Sequence, residues 1–208
     1  MLIKTLTVGP IETNCYIVTD EKTRGCVVID PGAEAAVLLN YLEENRLNCH
    51  FILLTHGHFD HVGAVEELVA ETGAPLWMNE KDNGSAIGSG EEAFSAPAGT
   101  HFYTDGDIVT ADGLAFAVLE TPGHTPGSVC LLCSSADGDR ALFSGDTLFR
   151  DSCGRTDFRG GSTEDMMRSL ARLAAIPGDC EVYPGHGFPT SLARERAVNY
   201  FMRAALQQ

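Results

Sequence analysis

Residues 51–61 read Phe51-Ile52-Leu53-Leu54-Thr55-His56-Gly57-His58-Phe59-Asp60-His61, an apolar run followed by three histidines and an aspartate. The apolar run reads as a buried strand. Beyond the cluster, Val62, Val65, Leu68 and Val69 fall at helical spacing, predicting a helix over 62–72 that Gly73 closes. The polar cluster therefore sits where a strand ends and a helix begins. Loops at the carboxyl ends of strands are where α/β proteins usually bind ligands.

The spacing has a chemical meaning. In extended backbone His56 and His58 project to the same side, so both imidazoles can hold one ion. Asp60 and His61 fall where the chain turns and point elsewhere, towards a second ion nearby. Imidazole and carboxylate donors suit zinc, iron or manganese.

Working outward, strands are expected at 2–8, 14–19, 26–30, 51–54, 75–78, 108–111, 114–120, 129–133, 141–144 and 181–184. Helices are expected around Val37–Leu42, from Ser162 through Ala174, and from about Ser191 with Val198, Phe201, Met202 and Ala205 on one face. Residues 80–107 show little periodicity and read either as a solvated connector or as a border of a substrate cleft. Three further strands each end in a glycine-bearing loop that carries one candidate ligand: His124, Asp146 and His186. If the sheets share an orientation, four strand ends bring seven ligands to one edge.

The chain has 208 residues, 44% of them hydrophobic, enough for one sizeable core in one domain spanning 1–208. Its formal net charge of −15 argues against nucleic acid or an anionic membrane as partner. No apolar run approaches the roughly 18 residues of a membrane span. The seven cysteines are odd in number and lie mostly in apolar runs. With no signal-peptide pattern at Met1–Leu6, the expected setting is the reducing cytoplasm. Cys130 and Cys133 have CxxC spacing, but on a strand they face opposite sides, which reads as core. His50 and His101 fit no ligand spacing.

The Thr55–His61 stretch, followed in order by His124, Asp146 and His186, resembles the signature of the metallo-β-lactamase superfamily. The resemblance runs over nearly the whole chain. It implies an α/β fold, the four-layer αββα sandwich of two mixed sheets with helices outside. It also implies a first metal on His56, His58 and His124, a second on Asp60, His61 and His186, and Asp146 bridging both. The cofactors would be two divalent ions, zinc foremost, with iron or manganese as alternatives. The superfamily's true β-lactamases commonly carry cysteine at the position of Asp146. The chain looks most like the small glyoxalase II-like hydrolases that lack a C-terminal helical domain.

That likeness implies hydrolysis of a small thioester, S-lactoylglutathione or a relative, by a metal-bound hydroxide that Asp60 aims. The partner would be a small molecule; the oligomeric state stays open. Gly154-Arg155-Thr156-Asp157-Phe158 also resembles a segment of the persulfide dioxygenases, which would need one iron; a lactonase is a third reading. Arg155 and Asp157 read either as residues that bind substrate or support a metal-ligand histidine, or as an internal ion pair that folds the loop, the latter preferred. Asn14, Cys15 and Tyr16 are candidates for the edge of the site.

Overall fold

Two six-stranded mixed sheets face each other in the computed structural model, which describes residues 1–84 and 93–207. The first sheet is formed in sequence order by β1 (Leu2–Val8), β2 (Thr13–Thr19), β3 (Gly25–Ile29), β4 (Asn48–Leu53), β5 (Leu76–Met78) and β6 (His101–Phe102). Its first three strands pair antiparallel and the rest parallel. Between β3 and β4 runs α1 (Ala35–Glu44); between β4 and β5 run α2 (Phe59–Val62) and α3 (Val65–Thr72).

The second sheet contains β7 (Ile108–Ala111), β8 (Leu114–Glu120), β9 (Val129–Ser135) and β10 (Arg140–Gly145). After a small hairpin of β11 (Leu148–Phe149) and β12 (Ser152–Cys153) comes α4 (Thr163–Ala174). The sheet is completed by β13 (Glu181–Pro184), parallel to β10, and β14 (Thr190–Ser191). The chain then runs through α5 (Leu192–Val198) and α6 (Tyr200–Ala205).

Strand alternation builds three apolar layers from these elements. Tyr16, Val18, Val27 and Ile29 meet Phe116, Val118, Leu131 and Phe143 between the sheets. Their neighbours Cys15, Ile17, Cys26 and Val28 face outward, onto Leu38 of α1 and Val65 and Leu68 of α3. On the far side Cys130, Leu142 and Val182 pack against Met166, Leu170 and Leu173 of α4 and Met202 of α6. Helices thus cover the outer faces of both sheets, giving the αββα sandwich. Both faces of the central strands are buried, which is why they read as continuous apolar runs. Cys130 and Cys133 enter different layers, as their strand spacing requires.

Two expected helices are interrupted. The helix expected over 62–72 is two helices separated at Gly63-Ala64, with α2 starting earlier, at Phe59. The C-terminal helix breaks at Asn199, whose extended backbone and side chain cap α6 at the N–H groups of Phe201 and Met202. The break rotates the expected apolar face: Met202 and Ala205 are buried, but Val198 and Phe201 are exposed. On α1 likewise only Leu38 and Leu42 of the expected stripe are buried, and Val37 is exposed. The short strands β6, β11, β12 and β14 lie outside the expected set. Residues 85–92, part of the unreadable 80–107 stretch, lie outside the described residues.

Candidate metal centre

The four ligand-bearing loops leave the carboxyl ends of β4, β8, β10 and β13, which draws on both sheets. Side-chain donors of His56, His58 and His124 lie within 4.8 Å of one another, and so do those of Asp60, His61 and His186. Asp146 stands between the two groups. Its Oδ2 is 3.4 Å from His124 Nε2 and 3.6 Å from His186 Nε2, and its Oδ1 is 3.6 Å from His61 Nε2. All seven residues picked out by sequence converge on one place.

Hydrogen-bond partners assign the imidazole tautomers. His124 Nδ1 lies 2.8 Å from the Arg155 carbonyl and His186 Nδ1 lies 3.2 Å from the Ile11 carbonyl. His61 Nδ1 lies 3.0 Å from Asp30 Oδ2. These partners only accept, so each Nδ1 donates, and in the neutral imidazole each Nε2 carries the lone pair. The Thr55 hydroxyl donates to Asp30 Oδ2 at 2.6 Å and can accept from His56 Nδ1 at 3.1 Å. Nε2 of His56 and His61 and Oδ1 of Asp146 are buried with no partner. Orphaned buried groups cost about 1–3 kcal/mol each, and a shared cation removes that cost. His58 Nδ1 faces the lone pair of His124 Nε2 at 2.9 Å, a gap that only a proton or a cation can fill. The donor set therefore fits two divalent ions.

Charge is divided between the two groups. Burial pushes the His56 imidazolium well below its ordinary pKa, with the neighbouring histidines adding to the effect. Burial, then His124 and His61, bring His58 to about 4. For His61 burial acts downward, but the carboxylates of Asp146, Asp30 and Asp60 outweigh it and raise the pKa to about 9. Burial would raise Asp60, but His186, His61 and the Thr13 hydroxyl (3.0 Å from Oδ2) hold it well below the carboxylate range. His56 and His58 are thus neutral at pH 7. The second group carries the carboxylates and attracts positive charge.

A family model described as metallo-β-lactamase superfamily matches residues 8–186. The chain belongs to that superfamily. A hydroxyacylglutathione hydrolase GloC of Haemophilus influenzae is 35% identical, with 98% of this chain and 99% of the relative aligned. The crystal structure of BLEG-1 B3 metallo-β-lactamase superposes with a TM-score of 0.86 at 33% identity, covering 97% and 99% of the two chains. That of TTHA1623 in a di-iron-bound form gives 0.79 at 34% identity, covering 95% and 99%.

In this member of the metallo-β-lactamase superfamily the two ligand groups floor a cleft of about 890 Å³. Ile11, Phe59, Phe149 and Phe158 form apolar walls, and Arg155 and Arg159 stand among them. Arg155 grips both oxygens of Asp157, at 2.6 and 2.7 Å, and its guanidinium lies 4.1 Å from the Phe158 ring centre. The ion pair expected from sequence is therefore present, and the same side chain borders the cleft. None of the described residues of 80–107 lines it. His50 pairs with Asp112 and His101 stacks on Trp77, both away from the ligand groups.

Other residues hold the metal groups from behind. Asn14 donates to the carbonyls of Pro184 and Gly187, and the Tyr16 hydroxyl donates to Pro184 as well, so β2 fixes the His186 loop. A Cβ on Gly185 would fall 2.2 Å from Asp146 Oδ1, so only glycine lets that loop pass. Sequence reasoning missed Asp30 and Thr13. Asp30 directly follows β3, Gly25–Ile29, just before Pro31-Gly32, the same strand-end position that marked the ligands.

Proposed function

We propose that the chain is a two-metal hydrolase of a small thioester, of the hydroxyacylglutathione hydrolase kind. One observation carries this reading: two three-donor groups joined by Asp146 at the floor of an apolar-walled cleft. His56, His58 and His124 would hold one ion, Asp60, His61 and His186 the other, and Asp146 both. Divalent ions at such a pair lower the pKa of water to about 7 and polarise an acyl carbonyl. Zinc is the expected metal, and the di-iron-bound neighbour makes iron the first alternative to load.

The chain's own residues do the rest. Ionised Asp60 accepts a hydrogen bond from the attacking water and aims it at the carbonyl. Ile11, Phe59 and Phe158 exclude bulk water around the acyl group, which strengthens every polar contact inside. A leaving thiol has a parent pKa of about 8.5, so it departs with little help from an acid. The net charge of −15 and seven free cysteines suit a cytoplasmic enzyme with a small-molecule substrate and neither nucleic acid nor membrane as partner.

The test is thiol release from a thioester panel that includes S-lactoylglutathione, without oxygen, using zinc-, iron- and manganese-loaded protein. Turnover with zinc that is lost in the double variant His58→Ala, Asp60→Ala supports the reading. No thiol release under any loading sinks it.

A second reading, a mono-iron persulfide dioxygenase, is motivated by Gly154–Phe158. That segment supports the first ligand group directly: the Arg155 carbonyl accepts from His124, and the Phe158 ring packs 5.5 Å from that of His58. Such support serves either chemistry. Oxygen uptake by iron-loaded protein given glutathione persulfide would favour this second reading.

A further inference from the structure

Asp82 lies in the stretch whose sequence pattern is least informative, yet its side chain is fully buried. It follows β5 in a single 3-10 turn, Glu80–Asp82, capped by the Asn79 side chain. Asn79 and Lys81 both reach Glu120 at the end of β8, at 3.0 and 2.9 Å. The turn is therefore pinned to the strand that leads to His124.

The Asp82 carboxylate accepts three hydrogen bonds. Gly57 N donates to Oδ2 at 3.1 Å, the Thr125 hydroxyl donates to Oδ2 at 2.6 Å, and Gly127 N donates to Oδ1 at 2.7 Å. Gly57 stands between His56 and His58, while Thr125 and Gly127 follow His124. One carboxylate thus ties together the two loops that supply all three imidazoles of the first group. It bonds to neither the Asp60–His61 turn nor the His186 loop. The approach is close: a Cβ on Gly127 would lie 2.6 Å from Asp82 Oδ1 and 2.9 Å from its backbone nitrogen.

We infer that Asp82 is a positioning residue for the first metal, setting the distance between the His56–His58 loop and the His124 loop without touching the ion. The inference rests on the two-ion reading of the site. Supporting residues around metal ligands commonly govern affinity by about 10–100-fold. Because Asp82 acts on one loop pair only, its loss weakens the first position and spares the second.

The experiment is zinc titration against a chromophoric chelator in two backgrounds. His186→Ala leaves the first position to be read, and His58→Ala leaves the second. Asp82→Asn has nearly the same shape but presents an amide donor where only donors face it. The expected result is a loss of about 10-fold or more in the His186→Ala background and none in the His58→Ala background. Thr125→Val, which removes one of the three bonds, should produce a smaller loss confined to the same background. It also serves if Asp82→Asn does not fold. Equal losses in both backgrounds, or wild-type affinity in the first, overturn the inference. Protein with all ligands intact that binds no zinc, iron or manganese would sink the two-ion reading itself, a separate failure.

Discussion

Asp30 Oδ2 lies 3.0 Å from His61 Nδ1, and that contact decides which His61 nitrogen faces the metal groups. The same carboxylate accepts from the Thr55 amide at 2.7 Å and from its hydroxyl at 2.6 Å. Through Thr55 it also orients His56, so a single buried acid sets one imidazole in each group. Asp30→Ala strands three donors, each worth about 1–3 kcal/mol when buried and unpaired. Stability should fall by several kcal/mol, read from urea unfolding. Asp30→Asn keeps the shape and should weaken zinc binding by about 10–100-fold. Unchanged zinc affinity in the Asn variant would contradict this role.

The His186 loop is held by β2, on the other side of the molecule's sequence. Tyr16 and Asn14 both donate to the Pro184 carbonyl, and only Asn14 also reaches Gly187. Tyr16→Phe leaves that carbonyl partnered, so the expected cost is one net hydrogen bond, about 1 kcal/mol. Asn14→Ala frees the Gly187 carbonyl and should cost more, and it should also loosen zinc at the position that uses His186. Thermal unfolding with and without zinc separates the two variants. A larger effect from Tyr16→Phe than from Asn14→Ala would count against the argument.

Arg155 touches the site twice, by different atoms. Its carbonyl accepts from His124, whereas its side chain holds Asp157 and covers Phe158. Arg155→Ala keeps the carbonyl, so metal content should stay at the wild-type level. It removes a solvent-screened ion pair and a cation–π contact, and loosens the cleft wall. The expected result is a several-fold rise in KM with little change in kcat. Loss of one metal ion in this variant would show that the side chain, rather than the backbone, orients His124.

The ligands were legible because histidine and aspartate at strand ends, in glycine-bearing loops, are uncommon in bland structure. Their partners were not. Asp30 and Asp82 are single acids whose roles depend on residues about 25 to 45 positions away, which no local pattern records. The strands were legible because both faces of each sheet are covered, so apolar runs are continuous. The helix breaks at Gly63-Ala64 and Asn199 were hidden because hydrophobic spacing continues across them. At Gly63-Ala64 the cause is tertiary, since the Ala64 amide donates to the Pro31 carbonyl at 3.0 Å rather than back into the helix. At Asn199 it is a capping side chain inside what reads as one helix.

The division of charge between the two groups predicts how the metal-free protein responds to pH. His58 has a pKa near 4 when folded, against about 6.5 unfolded. Between those values the unfolded chain binds more protons, so stability rises with pH, and His56 acts in the same direction. Acidification through this window should cost on the order of 3 kcal/mol from His58 alone. His61, near 9 when folded, has the opposite sign: its contribution is complete below about 6.5 and is lost as pH rises towards 9. His186, also raised, reinforces it. Asp60, held low, contributes throughout this range and is lost only in stronger acid. Chelator-treated protein should therefore show a stability maximum near pH 6.5, measured as the urea midpoint. Zinc should remove the alkaline decline, because the ion replaces the protons on His61 and His186 and binds better as they leave. A metal-free midpoint that climbs steadily from pH 5 to 9 would mean that the Asp30, Asp60 and Asp146 carboxylates do not hold those protons.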